Sequence, residues 1–115
     1  MSDLILHARV RWVRPILERT LLVPGAFSLA KLHTVLQAVL GWNDCHLHDF
    51  RIGSRYYVME SDEEAYDLDN PSFPETSLRL RDLPAKFQRF YYRYDFGDDW
   101  QVRLEVTERR PEQAR

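Results

Sequence analysis

The chain has little cysteine and no long apolar run. Cys45 is the one cysteine among 115 residues, so an intrachain disulfide is impossible and a cysteine-based zinc site is not expected. No segment reaches the roughly 20 apolar residues that a transmembrane helix needs. The N-terminus MSDLILHARVRW also lacks the basic start and apolar segment of a signal peptide. These absences predict a cytosolic (cytoplasmic) protein in a reducing compartment, with no membrane partner.

An excess of charge of one sign is also missing. The chain carries 16 basic and 18 acidic residues, which gives a formal net charge of −2. This balance produces no overall attraction to nucleic acid or to an anionic membrane. Lysine occurs only as Lys31 and Lys86, so nearly every basic side chain is arginine. The planar guanidinium of arginine suits carboxylate and phosphate groups, so this bias either serves recognition at particular sites or reflects codon usage alone.

Composition and length favour a single folded domain over residues 1–115. Hydrophobic residues make up 44% of the chain and aromatic residues 13%, which argues against disorder. A chain of this length buries about two-thirds of the surface that its unfolded form exposes. The sequence shows no internal repeat, no linker and no glycine-rich phosphate loop.

Alternation of apolar and polar residues predicts strands near both ends. Leu4–Val13 alternates, and Ile16–Val23 can return as a second strand. Lys86–Asp95 and Trp100–Thr107 alternate as well and predict a hairpin about the sequence FGDD, after which ERRPEQAR is expected to fray. The residues expected on the apolar faces of these strands are Leu4, Leu6, Ala8, Val10, Trp12, Phe90, Tyr92, Tyr94, Phe96, Trp100, Val102, Leu104 and Val106.

One main helix is predicted at about residues 28–40. Ser28 is a favourable N-cap, and Phe27 and Leu32 have the spacing of a hydrophobic staple. Leucines recur at helical period through LAKLHTVLQAVL, and Gly41 is placed to end the helix in a left-handed conformation. Further along, FRIGSRYYVM predicts a tight hairpin. The segment from Glu60 to Asp69 carries six acidic residues and no basic one, which predicts a solvated loop.

The sequence HLHDF supplies candidate metal ligands in His46, His48 and Asp49. Two histidines in an H-x-H pattern on a strand share one face and can chelate zinc or another transition metal, and His33 on the helix is a possible third ligand. The alternative is a loop held by histidine hydrogen bonds, with His33 at the core boundary. Cys45 is a weaker candidate, as a nucleophile, because adjacent residues rarely align for attack. No cofactor is predicted, and a divalent metal stays an open alternative.

The acidic turn YRYDFGDDW is the second candidate site. Its carboxylates, Asp95, Asp98 and Asp99, are of the type that hard cations such as Mg²⁺ or Ca²⁺ prefer. Aspartate and glycine are also the residues that tight turns select, because glycine accepts positive φ and aspartate bonds nearby amides. A third alternative is that one aspartate pairs with an arginine and fixes the strand register.

A third candidate site is diffuse. Alternation places charged side chains of the first strand and of the last hairpin on the faces opposite to their apolar residues. If these strands are neighbours, arginine and tyrosine together can hold phosphates and stack bases. The simpler alternative is a solvated outer face balanced by Asp95 and Glu105, because charge on the open side of a sheet is ordinary. The candidate binding residues are Arg9, Arg11, Arg89, Tyr91, Arg93 and Arg103.

Two long motifs resemble a known family. The sequences LHTVLQAVLGWNDCHLHDFRIGSRYY and YYRYDFGDDWQVRLEV are similar to those of the plasmid pRiA4b ORF-3-like family, and the resemblance runs from about Leu4 to Val106. Val102 departs from the pattern, since many members have histidine there. The residues that carry the family motifs include Trp42, His46, His48, Asp95, Asp98, Asp99 and Trp100.

The resemblance implies an α+β fold with a largely antiparallel sheet packed against the helix. It also implies an association with plasmids and insertion sequences, and it implies no settled activity. We therefore carry three hypotheses: an accessory module that binds nucleic acid or another protein, a metal-dependent hydrolase or nuclease built from HLHDF and the acidic turn, and an interaction domain that forms homodimers through a strand edge. Whether the protein is an enzyme is left undecided.

Overall fold

A computed structural model describes residues 2–59 and 71–111. The acidic segment that was predicted to be a loop, from Glu60 to Asp69, lies outside the described residues. The elements are β1 (Ser2–Val10), β2 (Glu18–Pro24), α1 (Leu29–Leu40), β3 (His48–Ile52), β4 (Arg55–Val58), β5 (Ser72–Pro74), β6 (Arg89–Tyr94) and β7 (Trp100–Pro111). Three single-turn 3₁₀ segments between residues 75 and 87 lie in the connection from β5 to β6.

The described strands form one mixed sheet in the order β2-β1-β7-β6-β3-β4-β5. Every neighbouring pair is antiparallel except β4 and β5, which are parallel. The chain is thus a compact single domain dominated by a largely antiparallel sheet, with α1 packed against it. This arrangement agrees with the expected α+β class. No helix among residues 2–59 and 71–111 is long and apolar enough to cross a membrane.

The helix follows its predicted bounds because its caps work as expected. Ser28 accepts a hydrogen bond from the Lys31 amide at 3.3 Å, which satisfies one free donor of the first turn. Gly41 closes the helix at φ 74°, in the left-handed region that glycine adopts without steric cost. Leu29, Leu32 and Leu36 are fully buried and fix α1 on the sheet.

The C-terminal hairpin confirms the predicted alternation. Phe90, Tyr92 and Tyr94 of β6 are buried, as are Val102, Leu104 and Val106 of β7, while Arg89, Arg93 and Arg103 lie on the other face. Two residues depart from the expected apolar faces. The ring of Phe96 lies beyond the strand and under the Arg93 guanidinium, 4.1 Å away, and Trp100 is 38% exposed where the hairpin turns.

The two ends of the sheet correct the expected strand lengths. Trp12 was predicted on the apolar face of the first strand, but it has φ 61° in the turn after β1 and is 72% exposed. Glu108–Pro111 was expected to fray, yet it continues β7 by pairing with the start of β1. Tertiary pairing with β1, rather than local propensity, sets this boundary, whereas residues 112–115 lie outside the described residues.

Candidate functional site

The open face of the sheet, opposite to α1, carries a row of arginines across neighbouring strands. Arg9 of β1 is paired with Arg103 of β7, Arg103 with Tyr91 of β6, and Tyr91 with Arg51 of β3. We call these four residues the arginine row. Neighbouring strands lie about 4.8 Å apart, so the row spans about 14 Å from Arg9 to Arg51. The sheet order therefore brings the predicted residues Arg9, Tyr91 and Arg103 together and adds Arg51.

Two arginines in this row, Arg9 and Arg103, face each other, although Arg9 also has Glu18 opposite it on β2. In the described part of the chain, neither Arg9 nor Arg103 makes a side-chain hydrogen bond or an ion pair. Like charges directly opposite each other on adjacent strands destabilise a sheet. Both side chains are half-buried. The fold thus holds two positive charges in a pair that an anion would relieve.

Beside the arginine row, the open face forms a cleft of about 490 Å³. Arg11 stands at one side, where its guanidinium lies 4.1 Å from the Trp12 ring and 5.4 Å from the Tyr91 ring. Guanidinium groups stacked on aromatic rings keep their hydrogen-bond donors directed outward. The cleft is lined chiefly by basic and aromatic side chains, among them Arg11, Arg51, Arg89, Arg93, Tyr56 and Tyr91.

Part of the positive charge on this face is balanced. Arg93 makes two bonds to the buried Asp49, at 2.6 Å and 3.3 Å. Arg89 pairs with Glu105 at 3.2 Å in an exposed contact. Asp95 was expected to balance this face too, but it turns toward His46 instead. The predicted binding residues Arg89 and Arg93 therefore have carboxylate partners, which distinguishes them from Arg9 and Arg103.

The helix side of the sheet contains a second, buried cluster built around His33. Gln37 accepts a hydrogen bond from the Asp44 amide at 2.7 Å and donates one to the Tyr92 hydroxyl at 2.8 Å. Tyr92 in turn lies 2.6 Å from His33 Nδ1, and His33 Nε2 lies 2.7 Å from an Asp44 oxygen. The Gln37 donor directs the tyrosine proton to Nδ1, so the proton on His33 stands on Nε2 and is donated to Asp44.

His48 continues this cluster from the neighbouring strand β3. Its ring stacks on that of His33, with centroids 3.5 Å apart and planes 5° from parallel. Its Nε2 lies 2.7 Å from the buried carboxylate of Glu75. Its Nδ1 is buried and has no hydrogen-bond partner among the described residues. A buried polar atom without a partner is uncommon in folded proteins and marks a position that needs an explanation.

Burial makes His33 a weak base. Desolvation is the largest cause that lowers the pKa of His33, and the neighbouring His48 lowers it further. Asp44 and, more weakly, Glu75 oppose this change. The lowered pKa agrees with a neutral His33 that donates from Nε2. Burial also raises the pKa of Tyr92 far above its ordinary value, so its hydroxyl stays protonated.

The two family motifs meet at the end of the sheet. His46 Nε2 lies 3.5 Å from an Asp95 oxygen, and the Cys45 amide donates to the Tyr94 hydroxyl at 2.9 Å. Trp42 stacks on Tyr94, with ring centroids 5.1 Å apart, and its ring lies 6.1 Å from that of Trp100. This contact ties the helix exit to the C-terminal hairpin.

The acidic turn has the contacts of a tight connection. Asp95 and Asp99 have φ of 59° and 55°, which aspartate tolerates better than most residues. Asp95 accepts a hydrogen bond from the Asp98 amide at 3.4 Å, and Asp99 accepts one from the Gln101 side chain at 3.0 Å. The three carboxylates do not form a cation-binding group among the described residues.

The predicted metal ligands do not converge. His48 and Asp49 are adjacent in β3 and point to opposite faces of the sheet, as successive strand residues must. His46 precedes β3, is exposed and pairs with Asp95, and it is not part of the convergent group of possible ligands among the described residues. The convergent group is instead His33, Asp44 and His48. Of the earlier suggestions, only the participation of His33 with His48 matches this group.

Several residues of the buried cluster were not identified from the sequence. Gln37 lies one turn after His33, and two polar residues at this spacing inside an apolar helical stripe indicate a buried polar network. Asp44 and Glu75 come from a loop and a 3₁₀ turn, and no periodicity marks them. On the open face, Arg51 follows from its apolar neighbours Phe50 and Ile52, which point the other way.

Comparison with known proteins places these features in a family context. The family model described as "Plasmid pRiA4b ORF-3-like protein" matches residues 3–115. The uncharacterized protein y4hQ of Sinorhizobium fredii is 33% identical over 94 residues, which cover 82% of this chain and 47% of that protein. The chain thus spans about half the length of this relative. The crystal structure of a protein of unknown function from Methanosarcina mazei, MM3350, is similar with a TM-score of 0.85 and 27% identity, covering 97% of this chain and 63% of that one.

Proposed function

Because the chain belongs to the plasmid pRiA4b ORF-3-like family, whose relatives described above carry no assigned activity, we propose its function from the geometry of the open sheet face. The proposed function is that of an accessory module that binds single-stranded nucleic acid. The observation that carries the proposal is the pairing of Arg9 with Arg103 in a row that continues through Tyr91 to Arg51.

Phosphate groups are the anions that best fit the arginine row. Each arginine presents a planar fork of donors, and the row repeats such forks across a distance of about 14 Å. A phosphate near Arg9 and Arg103 offsets the repulsion between the two guanidinium groups. A polyanion that extends across the strands can reach Arg51 as well, which a single small anion cannot do.

Aromatic rings between the charges favour a single strand over a duplex. Tyr91 lies within the arginine row, and Tyr56 of β4 is the cross-strand partner of Arg51, so it extends the row by one strand. Both rings are half-exposed on the open face. Unpaired bases can stack on such rings, at about 1–3 kcal/mol per base, whereas the bases of a duplex are already stacked on each other. The association with mobile elements that the family resemblance implies fits a cytoplasmic accessory protein of this kind.

Salt dependence tests the proposal directly. Labelled single-stranded RNA and DNA oligomers are titrated with the protein, and binding is followed by fluorescence anisotropy. With three to four phosphates contacted, affinity should fall about 20- to 50-fold between about 50 mM and about 200 mM salt. Duplexes of the same sequence should bind more weakly. Absence of binding to either single strand at low salt would rule out the proposed function.

A matched pair of variants locates the binding surface. Arg9→Gln/Arg103→Gln removes two charges from the arginine row and should reduce the slope of log affinity against log salt by about 1.4. Arg19→Gln/Lys31→Gln removes the same charge from exposed positions on β2 and α1 and should leave the slope close to that of the wild type. Equal losses in the two variants would mean that only net charge matters, which contradicts a site at this row. If the protein binds a partner protein and has no affinity for oligonucleotides, the alternative of a protein-binding module is favoured instead.

A further inference from the structure

The buried cluster beneath the sheet has a feature that its hydrogen bonds do not explain. One ring nitrogen of His33, one ring nitrogen of His48 and one carboxylate oxygen of Asp44 all lie within 4.8 Å of one another. The His48 side chain is only 1% exposed, and its Nδ1 has no hydrogen-bond partner among the described residues. An aromatic nitrogen whose lone pair is withdrawn from water and bonded to nothing is costly, and a ligand at that nitrogen removes the cost.

The remaining ring nitrogens have partners of the kind that hold metal-binding histidines in place. His33 Nδ1 is bonded to the Tyr92 hydroxyl, and His48 Nε2 is bonded to the Glu75 carboxylate. In metal centres, the histidine nitrogen that does not bind the ion is almost always fixed by such a carboxylate or other polar group. These contacts leave Nε2 of His33 and Nδ1 of His48 as the two nitrogens available to a common ligand.

Asp44 supplies the third possible ligand atom, and it also connects the buried cluster to solvent. Its side chain is 58% exposed, while the two histidines are buried, so the cluster reaches solvent at this residue. An ion held by three protein ligands at such an edge retains a position for water. Two imidazoles and one carboxylate are donors that suit zinc and other divalent transition metals better than Mg²⁺ or Ca²⁺.

From these observations we propose that His33, Asp44 and His48 bind a divalent transition-metal ion, of which Zn²⁺ is the representative. The ion displaces the proton that His33 Nε2 donates to Asp44. The neutral ring then carries its one proton on Nδ1 and donates it to the Tyr92 oxygen, so that the Tyr92 hydroxyl proton turns away from the ring. Lone pairs of parallel stacked rings run side by side and cannot meet at one ion. Coordination of the ion therefore requires the His48 ring to rotate away from the His33 ring, while His48 Nε2 keeps its hydrogen bond to Glu75. The site is separate from the arginine row, which lies on the other face of the sheet.

Metal titration of the chelator-stripped protein tests the site. Isothermal titration with Zn²⁺ should show one equivalent bound by the wild type. Asp44→Asn should weaken the affinity for Zn²⁺ at least about tenfold. The asparagine side chain can still accept the hydrogen bond from His33, but it lacks the negatively charged oxygen that would bind the ion. Asp98→Asn, which changes the same charge at an exposed turn residue, should bind as the wild type does.

A third variant separates this site from a surface alternative. His46→Gln removes an exposed histidine that pairs with Asp95 and should leave Zn²⁺ binding unchanged. The proposal is overturned if the wild type takes up no Zn²⁺, if Asp44→Asn binds as tightly as the wild type, or if His46→Gln abolishes binding.

Nitrogen chemical shifts give a readout that does not depend on variants. The chain has only four histidines, so long-range ¹H–¹⁵N spectra of the imidazoles can be assigned. Addition of Zn²⁺ should shift Nδ1 of His48 and Nε2 of His33. Nε2 of His48 should change little because it keeps its bond to Glu75, whereas Nδ1 of His33 should shift as it gains the ring proton. Shifts confined to His7 and His46 would place the ion at the surface and contradict the proposal.

Discussion

His33 and His48 stack face to face, with ring centroids 3.5 Å apart and planes 5° from parallel, although they come from the helix and from a strand. Each ring has its own carboxylate, Asp44 for His33 and Glu75 for His48. Two imidazolium ions could not occupy this arrangement without strong repulsion. The pair therefore links the protonation of the cluster to the stability of the fold.

We expect stability to fall as the pH drops below the ordinary pKa of histidine. The pKa of folded His33 is lowered, mainly by burial and then by His48, so the unfolded chain binds a proton that the folded chain does not. This contribution is complete above about pH 6.5 and is lost at up to about 1.4 kcal/mol per pH unit below it. Urea unfolding between about pH 7 and about pH 5, with a chelator present, measures the slope.

A histidine variant assigns that slope. His33→Gln lowers stability at every pH and should flatten the dependence between about pH 6.5 and about pH 5. An unchanged slope in His33→Gln would show that another group is responsible.

Tyr92→Phe should destabilise the fold by about 1–3 kcal/mol. The substitution keeps the buried ring but leaves the Gln37 amide without an acceptor and His33 Nδ1 without a donor. Tyr91→Phe is the matched control, because Tyr91 directly precedes Tyr92 in the same strand and lies on the open face. The control should change the free energy of unfolding by no more than about 0.5 kcal/mol. Equal effects of the two substitutions would argue against the buried network.

Arg103→Glu should stabilise the sheet while weakening binding of single-stranded nucleic acid. Glutamate at this position faces Arg9 directly and replaces repulsion by attraction, worth about 0.2–1 kcal/mol for a cross-strand pair. The same charge reversal places a negative group in the middle of the arginine row. Thermal unfolding and anisotropy titrations on one protein sample measure both effects. A variant that is less stable and binds as well as the wild type would contradict both the pairing and the proposed surface.

Gly53→Ala should cost more stability than Gly41→Ala, although both glycines have positive φ. A Cβ at Gly41 meets no atom within 4 Å, so the expected cost is that of the left-handed conformation alone, about 1–2 kcal/mol. A Cβ at Gly53 would lie 2.8 Å from Cζ of Phe87, whose ring must then move. Unfolding free energies in urea compare the two, and equal values would show that Phe87 moves without cost.

Much of the fold could be read from local patterns. The helix from Leu29 to Leu40 was predictable because its caps and its leucine spacing are encoded within a short segment. The same holds for the alternation of Phe90, Tyr92 and Tyr94, since successive strand residues must point to opposite faces. The position of Trp12 could not be predicted in this way, because the chain turns at Trp12 itself, which has φ 61°, and no periodicity indicates that turn.

The candidate sites were accessible only in part. Arg9 and Arg103 could be assigned to an outward face from alternation, but their direct pairing depends on which strands are neighbours. Of the predicted ligands, His48 and Asp49 are adjacent in β3, and successive strand residues point to opposite faces, while His46 lies before the strand begins.

Local sequence specifies the caps of the helix, the inward and outward faces of the strands and the arginine-rich chemistry of the open face. These properties depend on neighbours within a few residues, whose geometry is set by backbone sterics and hydrogen bonding. The pairing of Arg9 with Arg103 and the stacking of His33 on His48 arise from tertiary packing alone. Such contacts join segments far apart in the chain, and they are selected by the packing of the whole core, which no local pattern records.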